Sequence, residues 1–316
     1  MEINAIAPRA NDMIAEVERV IVGKRETVTQ AVLTMLCGGH LLLEDIPGVG
    51  KTTLAKSLAR TIGGIFRRVQ FTPDLLPSDV TGSSIFNQKT AEFEFRPGPI
   101  FGNVVLADEI NRATPKTQSS LLEAMEEHQV SIDGEPRMLP TPFFVIATQN
   151  NLEMTGTYPL PEAQLDRFFA RLSIGYPDRQ SEVAVLDAQQ RLHPVDSVQA
   201  IVSLEELLEM QAAVRTVYVS PRIQEYVVDV VRATRESNQL VMGASPRGSL
   251  HLMRAAQASA AMDGRTQVAP EDVKRLANAV LGHRIITRAE MRSQGMGSDA
   301  VMARILDVVP APVPIG

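Results

Sequence analysis

The stretch Leu41-Leu42-Leu43-Glu44-Asp45-Ile46-Pro47-Gly48-Val49-Gly50-Lys51-Thr52 decides how the chain is read. It predicts a short buried strand, a glycine-rich turn and then a helix, because Leu54, Ala55, Leu58, Ala59 and Ile62 follow at helical spacing. Such a turn aims several backbone N–H groups into one concavity at a helix N-terminus. Orphan amides and the helix dipole both favour an anion there. Gly48 and Gly50 let the backbone approach a phosphate with no Cβ in the way. Lys51 supplies a point charge for outer phosphates, and the Thr52 hydroxyl suits Mg²⁺. Asp45 stands where the general phosphate-loop pattern has its first glycine.

Composition sets the class. With 316 residues, 44% hydrophobic and 22% charged, the chain has room for one large core and a smaller second one. A net charge of −6 argues against nucleic acid as the default partner, although a local basic patch stays open. Cys37 is the single cysteine, so no intrachain disulfide can form and a reducing, cytoplasmic location is expected. Cys37 itself reads as a small buried hydrophobe. The N-terminal residues mix Glu2, Arg9, Asp12, Glu16 and Glu18 with apolar ones, unlike a secretory signal. No run approaches the roughly 18 apolar residues of a membrane span.

Outward from the phosphate loop, helices are expected over 8–20 and through Val28, Val32, Leu33 and Leu36, with Val22-Gly23-Lys24 as the break between them. A strand is expected over 65–71. The prolines of 72–79 predict a loop, and the alternating runs 84–88 and 92–96 predict a projecting hairpin. Asn103 to Ala107 reads as a buried strand running into Asp108-Glu109, at the strand end where open α/β sheets bind ligands. A helix follows over 114–127, then a second hairpin around Asp133-Gly134, and a buried strand from Phe143 to Thr148 ending in Gln149-Asn150-Asn151. A helix beginning at 161 and reaching 168 and a strand over 170–174 complete the series. Beyond Pro177 the strand signal mostly fades, and helices are expected over 179–192, 203–215, 220–237, 246–262 and 270–282. Ser203 with Glu206 forms a capping box, and Ala269-Pro270-Glu271 a weaker one.

The fold class is therefore α/β: a parallel five-stranded sheet covered on both faces, then a small all-helical domain. The boundaries fall at 1–176 for the core, 177–309 for the helical part and 310–316 for an extended proline-rich tail. In this arrangement the phosphate loop and Asp108-Glu109 meet at one sheet edge. Asp108 holds Mg²⁺, Glu109 polarises the attacking water, and Asn150 orients that water or touches the γ-phosphate. A solvated pair of strand-end acids is the plainer alternative. Arg167 and Arg247 are candidates for a late positive charge, against the plain alternative of surface ion pairs.

Taken together, Pro47-Gly48-Val49-Gly50-Lys51-Thr52, Asp108-Glu109-Ile110-Asn111-Arg112-Ala113, Ala147-Thr148-Gln149-Asn150, the run from Tyr158 to Phe168 and Gly243-Ala244-Ser245-Pro246-Arg247 resemble the MoxR family of AAA+ ATPases over roughly residues 8–285. The resemblance implies ATP and ADP as ligands with Mg²⁺. It makes Lys51, Thr52 and the adjoining Thr53 part of Walker A, Asp108 and Glu109 Walker B, and Asn150 sensor 1. It makes Arg167 an arginine finger reaching a neighbouring subunit, and Arg247 sensor 2, brought onto its own subunit's nucleotide by the lid. Val22 and Gly23 would lie along the adenine, unless they form only a helix–helix turn. Asp45 looks usual for the family, whereas Asn151 replaces an expected proline. The first hairpin matches the helix-2 insert and the second the pre-sensor-1 hairpin; each faces the ring axis or client, or only covers a sheet edge. The family also implies a hexameric ring that remodels or matures a client protein, with a von Willebrand factor A domain partner. The competing functions are a nucleic-acid remodeller on the same core and a nucleotide-dependent binding switch.

Overall fold

The computed structural model describes residues 1–150, 156–189 and 194–312. Asn151, the last residues of the helix expected to reach 192, and positions 313–316 of the tail lie outside the described residues. The chain begins with α1 (Ile6–Glu18) and α2 (Arg25–Leu36), then β1 (Leu41–Glu44), α3 (Lys51–Thr61) and β2 (Phe66–Gln70). A short α4 (Pro77–Thr81) leads into the hairpin of β3 (Gly82–Asn87) and β4 (Glu92–Pro97). Next come β5 (Val104–Asp108), α5 (Pro115–Glu127), the hairpin of β6 (Gln129–Ile132) and β7 (Glu135–Met138), β8 (Phe144–Gln149), α6 (Glu162–Leu165) and β9 (Ala170–Leu172). The remainder is α7 (Arg179–Gln189), α8 (Leu204–Val214), α9 (Pro221–Glu236), β10 (Leu240–Met242), α10 (Pro246–Met262), α11 (Pro270–Leu281), β11 (Ile286–Thr287), α12 (Ala289–Ser293) and α13 (Ser298–Val308).

Among the described residues one sheet has five strands in the order β2-β5-β8-β1-β9, all parallel. Every residue of β5 and β8 is buried, which is why these strands read as unbroken apolar runs. Neighbouring side chains of β1 point to opposite faces. Leu41 and Leu43 join the apolar cluster of α1, α2 and α3, while Leu42 joins Leu121, Leu122 and Met125 of α5.

The cluster on the first face continues without a break into α8, α9, α10, α11 and α13. Its axis is α10, where Ala255, Ala256, Ala258, Ala260 and Ala261 are fully buried. Their methyl groups let α1, α2, α8, α9 and α11 lie close around one helix. The N-terminal helices thus belong to the sheet layer and to the helical domain at once.

Some local expectations change. The helical domain carries a two-stranded antiparallel ribbon, β10 with β11, and two further helices, α12 and α13, whose short runs gave little periodicity. The helix expected over 161–168 lasts a single turn in α6: Arg167 N and Phe168 N donate only three residues back, to Gln164 O and Leu165 O, which tightens the chain out of the α-helix. At the start of α11 the cap is made by Asp272, not Glu271: its carboxylate accepts from Ala269 N at 2.8 Å. Cys37 is half-buried, its sulfur 3.6 Å from Arg254 O. Both hairpins form separate ribbons that touch: Ser84 donates to Asp133, and the Arg137 guanidinium lies 4.2 Å from the Phe95 ring centre. Phe86 and Phe93 stack edge to face on the first hairpin and are exposed. No helix among the described residues is long and apolar enough to cross a membrane.

His40, at the start of β1, ties two layers together. Its Nδ1 accepts from Val145 N at 3.1 Å, so its Nε2 carries the proton and donates to Met125 O at 3.1 Å. Burial pulls its pKa from 6.5 down to about 4. The neutral ring is the folded form, so the unfolded chain binds more protons between those values. The stabilisation is complete above pH 6.5 and is lost as the pH falls toward 4. At pH 5 the loss attributable to His40 is about 2 kcal/mol. Thermal melts at pH 7 and pH 5 should show a smaller acid shift for His40→Gln than for the unmodified protein; equal shifts would remove His40 from this role.

Candidate active site

Parallel strands put every strand's carboxyl end at the same edge of the sheet, and the site is built there. The chain leaves β1 at Glu44, turns through Asp45 to Gly50, and enters α3 at Lys51. Gly50 has φ +94° and caps α3, a conformation that a side chain would strain. Lys51 Nζ donates to Asp45 O at 3.0 Å, curling the side chain back over the loop.

Asp45 has a structural reason to replace glycine. Its Oδ1 accepts from Ile46 N at 3.0 Å, while Oδ2 accepts from Ser173 Oγ at 3.1 Å, Gly175 N at 2.9 Å and Ile174 N. One carboxylate therefore fastens the phosphate loop to the chain leaving β9.

Because β8 lies between β1 and β5, its end separates the loop from the two acids. Thr148 bridges them from below: its hydroxyl donates to Asp108 Oδ1 at 2.7 Å and accepts from Glu109 N at 2.8 Å. Glu109 has φ +56°, which is uncommon outside glycine and costs roughly 1–3 kcal/mol. Pro47, Gly48, Gly50, Lys51, Thr52, Thr53, Asp108, Glu109 and Asn150 line one cavity of about 360 Å³. An adjoining cavity of about 220 Å³ shares Gly48, Gly50 and Thr53 and is walled by Val20, Ile21, Val22, Val49, Ile174 and Val185. Gly23 lies outside that wall. It has φ +72°, and a Cβ there would meet Ser181 Oγ at 2.1 Å, so it serves the packing of α7 against the α1–α2 turn.

Two residues at this edge carried no functional signal in the sequence. Arg68 and Gln70 sit on β2 beside β5, with Gln70 in register with Asp108. Arg68 donates to Asp108 Oδ2 through Nη2 at 2.7 Å and Nε at 3.2 Å. Gln70 Nε2 donates to Glu109 Oε2 at 3.1 Å, and Arg112 Nε lies 3.0 Å from the same oxygen. For Mg²⁺ the donors fit, since one carboxylate and one hydroxyl leave room for water and phosphate oxygens, as that ion prefers.

The two candidate arginines stand elsewhere. Arg167 Nε lies 3.2 Å from Glu126 Oε2, and Arg247 Nη2 lies 2.7 Å from Glu126 Oε1. Both share a pocket with Gly38, Gly39 and His40, which precede β1. That is the amino edge of the sheet, a strand length of about 16 Å from the loop that follows Glu44. The resemblance lays Arg247 on its own subunit's nucleotide; here α10 is packed against α1 and α2, and Arg247 at its start is held with Arg167 by Glu126, away from the phosphate loop.

If Asp45 fastens the loop, restoring the glycine of the general pattern is harmful. Asp45→Gly should lower the unfolding free energy by about 1–3 kcal/mol, since it leaves several donors unpaired. Urea unfolding measures this, and unchanged stability would sink the assignment.

Comparison with known proteins bears on the same residues. Residues 40–170 match the family described as ATPase family associated with various cellular activities (AAA), and residues 232–305 match the AAA lid domain. The chain is similar to the uncharacterized protein YeaC of Bacillus subtilis, at 49% identity over 97% of this chain and 96% of that protein. It is similar to Chaperone MoxR1 of Mycobacterium tuberculosis, at 42% identity over 95% of this chain and 81% of that protein. In three dimensions it resembles the crystal structure of a candidate ATPase from Cytophaga hutchinsonii, with a TM-score of 0.91, 39% identity, and coverage of 98% of this chain and 96% of that one. On these matches, which span sheet and helical domain alike, the chain belongs to the MoxR family of AAA+ ATPases.

Proposed function

We propose that the chain is a Mg²⁺-dependent ATPase that works as a hexameric ring in the cytoplasm, remodelling or maturing a client protein beside a von Willebrand factor A domain partner. The division into a core (1–176), a lid (177–309) and a tail (310–316) belongs to this reading. One observation carries the ring. Lys51, Thr52, Asp108 and Glu109 converge at the carboxyl edge, while Arg167 and Arg247 are held at the amino edge of the same sheet. A head-to-tail neighbour brings the second edge to the first, and such interfaces close into rings.

In this reading ATP lies across the two adjoining cavities, with the base against Val22 and the phosphates on the Gly48–Thr53 backbone. Thr52 and Asp108 would hold Mg²⁺, which would shield phosphate charge. Glu109 takes the proton of the attacking water, and Asn150 keeps that water in line. Arg167 and Arg247 of a neighbour meet the charge that develops on the γ-phosphate, a contribution worth a factor of roughly a thousand or more. Glu126 already bridges the two guanidiniums, so they are spaced for a single anion. The chaperone reading draws on the relative called Chaperone MoxR1, and the exposed Phe86 and Phe93 give the first hairpin an apolar tip for a client. The −6 charge counts against a nucleic-acid remodeller.

Two outcomes are expected. Lys51→Ala should lose most nucleotide binding, whereas Glu109→Gln should bind ATP, turn over poorly and retain its client, which a photo-crosslinker placed at Phe93 should capture. Turnover by Glu109→Gln at the unmodified rate would reject the assignment of that residue. Second, specific ATPase activity should rise with protein concentration as rings assemble. Arg167→Ala should keep nucleotide affinity and lose turnover, and mixing it with Lys51→Ala should restore activity, because each supplies what the other lacks. A concentration-independent rate with no rescue would show that the arginine does not act between subunits.

A further inference from the structure

The arginines at the amino edge have a common anchor that the family resemblance does not name. Arg284 lies in the turn after α11, and its side chain is 1% exposed. Its Nε donates to Asp166 Oδ1 at 2.8 Å. Its Nη2 donates to Phe168 O at 2.6 Å and Asp166 O at 3.2 Å, and Nη1 donates to Phe169 O at 3.2 Å. The carbonyls on both sides of Arg167 are thus gripped by one guanidinium. The other oxygen of Asp166 accepts from Ser245 Oγ at 3.0 Å, and Ser245 Oγ in turn accepts from Arg247 N at 3.2 Å. One carboxylate therefore ties the backbone of Arg167 to the backbone of Arg247.

We propose that Arg284 is a positioning residue for hydrolysis in the adjacent subunit: with Asp166 it locks Arg167 and Arg247 into one rigid anion-binding pair. This rests on the reading above, in which both arginines serve a neighbour's nucleotide. Burying a guanidinium is costly, and the cost is met here only because several acceptors and a carboxylate surround it. Burial pulls Arg284 down to about 10, with Asp166 opposing, so it keeps its charge at neutral pH. A merely apolar junction would seal the lid against the core equally well. The planar fork does something more: it sets the direction of a four-residue loop. A lysine has no such geometry. Because Arg284 belongs to the lid and Arg167 to the sheet, a shift of the lid in one subunit moves the finger offered to the next.

Mixed rings test this. Arg284→Lys should bind a fluorescent ADP analogue with unchanged affinity at its own site, since Lys51 and Glu109 are untouched, while its ATP turnover falls about 10- to 100-fold. Mixed with Glu109→Gln, which has intact arginines and a disabled site, it should regain activity well above the average of the two preparations. Arg167→Ala mixed with Glu109→Gln is the control. If the control regains activity and the Arg284→Lys mixture does not, Arg284 acts within its own subunit or only supports the fold, and the proposal is overturned. If the control itself fails, the reading of neighbour-acting arginines is what falls. Should Arg284→Lys melt before assembly, Asp166→Asn carries the same test, because Asp166 is partly exposed and keeps its backbone contact with Arg284. Its mixture with Glu109→Gln must regain activity too, or the proposal fails.

Discussion

Five parallel strands expose all their carboxyl ends at one edge and all their amino ends at the other, and this decides where charge can gather. The loop after β1, the acids after β5 and Asn150 after β8 meet at the carboxyl edge. Gly39-His40 before β1 and Arg167 before β9 meet at the amino edge. No loop adjustment moves a residue from one set to the other, since a whole strand lies between them. In the proposed ring, a head-to-tail neighbour is what brings the two edges together.

The helical domain adds a second constraint. Its central helix α10 is surrounded by helices from both halves of the chain, and its alanine-rich surface allows close contact on several sides. Once α10 is fixed by α1 and α2, its N-terminus is fixed too, and Arg247 is delivered to the amino edge. The polar groups that seal this junction are Arg284, Asp166 and Ser245. Leaving any one of them unpaired would cost more than a typical surface change, because Arg284 is desolvated. Burial holds His251 and His283 beside it in the neutral form, His251 at about 3, so they add no further charge to that cluster.

At the opposite edge the local chemistry is arranged around two departures, one from the usual residue type and one from ordinary backbone preference. Asp45 spends a carboxylate on fastening the phosphate loop to the chain after β9, in a position where many phosphate loops carry glycine. Glu109 adopts a positive φ, supported by Thr148, which also holds Asp108. Such strain persists only where surrounding bonds over-determine it, and it clusters where a side chain has to be aimed. Arg68 and Gln70 complete the arrangement by engaging one oxygen of each acid from the neighbouring strand.

Much of this was legible in the residues themselves. Gly48, Gly50, Lys51 and Thr52 specify a phosphate loop through local backbone freedom and charge, and the apolar runs at 41–43, 104–107 and 143–147 specify buried parallel strands through their lack of alternation. These are properties of short segments, so a single chain displays them. The partners of Asp108 and Glu109 were not legible, because Arg68 and Gln70 become neighbours only through strand order and register. Nor was the place of Arg247, since a helix start has the same sequence whichever side of the sheet its helix packs against. Arg284 looked like any other arginine after a helix until Asp166, Phe168 and Phe169 enclosed it. The sequence by itself determined which groups can bind phosphate and where strands begin; only the tertiary structure decided which edge each arginine faces, because that depends on long-range packing around α10 rather than on any local preference.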